Sequence, residues 1–99
     1  MANERFTNIW DALAATPEEA ENLRIRSKLM MELSDTVRSW DLPQKEAAAK
    51  LHISQPRLND VLKGKIQKFS LDALVNLLAA ANMRIEISVS KSNSETVAA

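Results

Sequence analysis

The sequence has no cysteine, no tyrosine, one histidine and one glycine in 99 residues. Without cysteine there is no disulfide scaffold, no thiol catalysis and no thiolate zinc site. One histidine leaves no His-rich metal cluster. No apolar run approaches the roughly 18 residues that a membrane span needs. The opening residues carry acids and no apolar h-region, so no secretory signal is read and a cytoplasmic chain is expected. The length suits one domain. Scarce glycine speaks against β-rich folds, whose turns use it for positive φ, while abundant Ala and Leu favour helices.

Net charge is absent too, with 13 basic and 13 acidic side chains. The balance hides a pattern. Residues 1–43 hold five basic residues against eight acids, a charge of −3. Residues 44–68 hold Lys45, Lys50, Arg57, Lys63, Lys65 and Lys68 against Glu46 and Asp60, a charge of +4. Local charge, not net charge, decides whether a polyanion can dock. A lysine-decorated solvated face would carry the same charges, so the island alone does not define a function.

Helical periodicity and capping signals divide the chain. Phe6, Ile9, Trp10 and Leu13 form a short apolar face in an N-terminal segment, residues 1–15. Thr16-Pro17-Glu18-Glu19 combines an N-cap, a proline at the first helical position and a capping box. The helix it starts is expected to reach about Trp40, burying Met30, Leu33, Val37 and Trp40, with Met31 as further core filler. Pro43 biases the residue before it away from the α region and breaks the helix. A short helix follows over Gln44–Leu51, then a turn at His52-Ile53-Ser54. Ser54 caps a second short helix, Gln55 to about Lys63, which Gly64 terminates. After a basic loop, Ser70 caps a last helix that stops near Asn82, with Phe69 stapled onto Leu74.

The period then changes. Arg84, Ile85, Glu86, Ile87, Ser88 and Val89 alternate as a half-buried strand does. It is the only strand the sequence shows. A lone strand leaves unpaired N–H and C=O groups, and the simplest partner is the same strand of a second copy. These six residues are therefore the expected dimerisation element. Residues 91–99 are expected to be a flexible tail. The expected architecture is mostly α, a compact helical bundle over residues 16–90 containing a helix-turn-helix, plus one C-terminal β-strand paired across a dimer.

Two short helices joined by a three-residue turn make the helix-turn-helix. Ala47, Ala48, Leu51, Ile53, Leu58 and Val61 lock the pair. The face left over on the second helix is Gln55, Pro56, Arg57, Asn59, Asp60 and Lys63. Such a helix enters the major groove with its N-terminal residues at base edges. Gln and Arg make bidentate contacts there, to adenine and guanine. Gln55 and Arg57 are the expected base readers. Gln44, Lys45, Ser54, Asn59, Lys63, Lys65 and Lys68 are expected on the phosphate backbone.

The run Gln44-Lys-Glu-Ala-Ala-Ala-Lys-Leu-His-Ile-Ser-Gln-Pro-Arg-Leu58, followed by Lys63-Gly64-Lys65, resembles the lambda repressor/Cro-like (XRE) helix-turn-helix domains. With Phe69-Ser70-Leu71-Asp72 and the strand Arg84–Val89, it is similar to the HigA-type antitoxin branch and its small transcriptional regulators. The resemblance covers roughly residues 6–90. It implies a cytoplasmic homodimeric repressor that binds a palindromic operator in its own promoter. In many relatives the partner is a RelE-like ribonuclease toxin. The chain departs from the pattern at His52 and Asn82, where Gly is usual, and at Pro43, where a Thr or Ser cap is usual. His52 must then adopt positive φ at a modest cost, which Asn82 tolerates more readily.

Nothing in the sequence supplies a nucleophile–base pair, a Gly-rich phosphate loop or a metal motif. No enzyme activity and no cofactor are expected. Trp10 and Trp40 lie outside the basic island and read as core anchors rather than base-stacking platforms.

Overall fold

A computed structural model of the chain describes residues 16–91. The apolar face at Phe6, Ile9, Trp10 and Leu13 and the tail from residue 92 lie outside the described residues. Within them are four α-helices: α1 (Pro17–Ser39), α2 (Gln44–Lys50), α3 (Gln55–Leu62) and α4 (Leu71–Ala80). A 3-10 turn, Ile66–Lys68, joins α3 to α4.

The helix starts follow the expected chemistry. Thr16 Oγ1 accepts the Glu19 N–H at 3.1 Å with Pro17 in the first turn. Ser54 Oγ accepts the Arg57 N–H at 3.2 Å, and Ser70 Oγ accepts the Ala73 N–H at 3.1 Å. Helix α2 begins at Pro43 with no side-chain cap. Each contact satisfies one of the orphan donors at a helix N-terminus.

The helix stops use left-handed backbone, and glycine supplies only one of them. Positive φ occurs at Asp41 (53°), His52 (62°), Gly64 (71°) and Asn82 (62°), each just beyond a helix. After α2, Ile53 N–H bonds Ala48 C=O at 3.0 Å and His52 N–H bonds Ala49 C=O at 3.1 Å. The same pair of bonds closes α3 through Gly64 and Lys65, and α4 through Asn82 and Met83. This is the Schellman arrangement. His52 and Asn82 therefore take the backbone conformation that their positions demand.

Helix α1 lies along α4 and also touches α3 and the 3-10 turn, while α2 packs on α3. The buried core draws Leu23, Met30, Leu33 and Val37 from α1, and Ala47, Ala48 and Leu51 from α2 and its end. Leu58, Val61, Ile66, Phe69, Leu74, Leu77, Leu78 and Ala81 complete it. Trp40 is partly buried against this core, with the Lys50 ammonium 4.3 Å from its ring centroid. Met31 departs from expectation: it is 56% exposed, since neighbouring helix positions point about 100° apart and Met30 takes the inward one.

Residues 83–91 leave α4 without helix or paired strand in the single chain. Met83 and Ile85 pack against the core, whereas Ile87 and Val89 are 82% and 89% exposed.

Candidate nucleic-acid interface

Helix α3 divides its residues by angle. Leu58 and Val61 are fully buried, and Leu62 is partly so. Gln55, Pro56 and Lys63 are exposed, and Asn59 is intermediate. Gln44 from the start of α2 joins Gln55, Pro56 and Asn59 around one shallow, open depression. Ala47 and Ala48 are small enough for α2 to seat closely on α3, which brings the two helix starts together. Amide side chains carry both donors and acceptors, as base edges and phosphates require.

Ser54 stands at the rim of this face. Its oxygen accepts the Arg57 N–H, and its hydroxyl proton stays available to a phosphate. Lys45 and Lys63 are exposed and have no ion pair among the described residues.

Arg57 is placed differently from the amide cluster. Its guanidinium lies 4.1 Å from the Phe69 ring centroid and donates to the Lys68 carbonyl at 3.2 Å. It turns toward the 3-10 turn and lines a separate cleft with His52, Ile53 and Asn76. The candidate base readers are thus split: Gln55 faces outward on the open face, and Arg57 braces its flank. Lys65 is also engaged, its ammonium 3.5 Å from Asp60. Asp60 holds Lys68 as well, at 3.6 Å.

The far end of α3 is fastened by residues to which the sequence reading gave no role. Arg38 of α1 donates to the Leu62 carbonyl at 3.1 Å, and Ser34 donates to the Val61 carbonyl at 3.3 Å. Arg26 donates to the Ile66 and Phe69 carbonyls at 3.3 and 3.1 Å. Carbonyls at a helix C-terminus lack intrahelical donors, so Ser34 and Arg38 meet the end of α3 from α1, while Arg26 holds the 3-10 turn and its end. These contacts span 24 to 43 residues of sequence, and no local pattern signals them. Asp60 did carry a signal, as one of only two acids in the basic island.

Among the described residues, no group of three His, Cys, Asp or Glu side chains could hold a metal ion. No helix among them is long and apolar enough to cross a membrane.

A capped eight-residue helix presented on a shorter one through a left-handed turn, with its polar face open, defines the helix-turn-helix class. Residues 13–90 match the family model described as a helix-turn-helix domain, and the chain belongs to that family. Membership indicates a DNA-binding regulator. No curated protein matches the chain.

Proposed function

We propose that the protein is a sequence-specific transcriptional regulator of the XRE type, an autorepressor that binds a palindromic operator as a homodimer in the cytoplasm. The observation that carries this reading is the open face on which Gln44, Gln55, Pro56 and Asn59 converge. Helix α3 enters the major groove from its N-terminal end. Gln55 addresses an adenine edge. Gln44, Lys45, Ser54, Asn59 and Lys63 hold the flanking phosphates. Arg57 is the second base reader, and it reaches guanine on releasing the Lys68 carbonyl.

Two copies are needed because one eight-residue helix covers a single half-site, and half-sites lie about 34 Å apart. Exposed Ile87 and Val89 on an unpaired segment favour pairing of Arg84–Val89 between copies. No catalytic role or cofactor is assigned.

The test is fluorescence anisotropy with the DNA immediately upstream of the coding sequence, against scrambled DNA of equal length. Tight, selective binding with two chains per site is expected. Equal and weak binding to both duplexes would overturn the assignment of sequence-specific readout.

A second reading is supported by the exposed acids of α1 and its end, Glu18, Glu19, Glu21, Glu32, Asp35 and Asp41. They suit a basic protein surface, so the chain would neutralise a RelE-like ribonuclease toxin as an antitoxin. Glu32→Gln/Asp35→Asn is expected to weaken toxin binding and spare DNA binding, and unchanged toxin binding would overturn this reading.

A further inference from the structure

The two lysines of the basic loop after α3, Lys65 and Lys68, share one carboxylate partner. Asp60, on α3 itself, faces both, with Lys65 Nζ at 3.5 Å and Lys68 Nζ at 3.6 Å. The Asp60 side chain is only 21% exposed, whereas the lysines are 45% and 58% exposed. The carboxylate is thus the more enclosed partner and the two ammoniums the more exposed ones. Its backbone is fixed as well, because the Asp60 carbonyl accepts the Lys65 N–H at 3.0 Å in the stop after α3. The loop is secured independently of these ion pairs, through Arg57 on the Lys68 carbonyl and Arg26 on the Ile66 and Phe69 carbonyls. The carboxylate is therefore not required to shape the loop. Its remaining effect is electrostatic: one negative charge beside a surface meant for a polyanion, positioned where a phosphate would otherwise pair with the two ammoniums.

We propose that Asp60 limits the sequence-independent affinity of the protein for DNA, as a carboxylate on α3 that occupies Lys65 and Lys68 in place of phosphate. The inference rests on the DNA-binding reading above. Sequence-independent affinity is mainly phosphate neutralisation and counterion release, whereas discrimination comes from base edges. A carboxylate that occupies two cations weakens the first. Lys45 and Lys63 have no such partner among the described residues and supply the ordinary phosphate contacts.

The test uses the full chain, a random-sequence duplex, and Asp60→Asn, which keeps the side-chain shape and removes the charge. Affinity for the random duplex at about 50 mM salt is expected to rise roughly three- to ten-fold. The plot of log K against log salt is expected to steepen by about 1 to 2, since each added phosphate contact contributes about 0.9. The double substitution Lys65→Gln/Lys68→Gln is expected to cost little in the wild-type background and to cancel the gain in the Asp60→Asn background. A purely structural role for Asp60 would not produce that cancellation. Unchanged affinity and slope, or a loss of affinity with the melting temperature maintained, would overturn the proposal. If Asp60→Asn proves unfolded, Asp60→Ser is measured against the same criteria. Failure of both wild type and variant to bind any duplex at this salt would overturn the DNA reading and the inference with it. Salt-dependent wild-type binding without an Asp60 effect would overturn the inference alone.

Discussion

His52 and Asn82 hold left-handed backbone at φ 62°, the conformation most easily taken by glycine. A chain with one glycine has to end its other helices on such side chains. The conformation costs a residue with a Cβ roughly 1–2 kcal/mol, partly offset by the greater unfolded entropy of glycine. Replacing His52 with glycine is expected to stabilise the protein by about 0.5–1 kcal/mol, read as a higher urea midpoint. A lower midpoint would show that the imidazole contributes more than its backbone costs. Arg57 makes the opposite case. Its substitution by alanine removes a stacked cation and a carbonyl hydrogen bond and is expected to cost about 1–2 kcal/mol of stability. It should also reduce discrimination between operator and random DNA. Stability loss with full discrimination retained would leave Arg57 as a brace alone. At the start of α1, the Arg24 guanidinium hydrogen-bonds Glu21 at 2.6–2.9 Å and lowers its carboxyl pKa. A lowered pKa contributes stability above the unfolded value that is lost as pH falls through the folded value. Both side chains are more than half exposed, so the effect on an acid titration of stability is small.

The elements were legible where their signals are local. Thr16, Ser54 and Ser70 cap the helices that the sequence assigns to them, and Gly64 ends α3. A cap and its partner N–H lie three residues apart, within reach of a pattern. The fastening of α3 and the 3-10 turn onto α1 was not legible. It depends on Arg26, Ser34 and Arg38 reaching carbonyls 24 to 43 residues away, pairings that only the packed chain reveals. The amide face of the candidate site was legible through helical spacing, but the turning of Arg57 onto Phe69 was not, because Phe69 lies beyond α3, past the reach of that spacing. Leu58 is the pivot of α3, fully buried between α2 and the rest of the core. Leu58→Ala is expected to cost about 2–5 kcal/mol in urea unfolding, a large share of a small domain's stability. A cost below about 1 kcal/mol would mean that the helix pair closes without it.

At the scale of the molecule, the alternation from Met83 to Val89 was legible, and its inner half does reach the core at Met83 and Ile85. Its outer half, Ile87 and Val89, is left to solvent in the single chain, since what covers it is not encoded in local sequence. Paired substitution of Ile87 and Val89 by lysine is expected to convert a dimer to a monomer in light scattering and to weaken operator binding, with the helical content unchanged. A wild-type monomer at micromolar concentration would contradict the dimer. Amide chemical-shift mapping during titration with a DNA duplex tests whether DNA meets the face built by the starts of α2 and α3. The largest shifts are expected on Gln44, Lys45, Ser54, Gln55, Asn59 and Lys63. Shifts concentrated instead on the acidic side of α1, with that face unmoved, would contradict it.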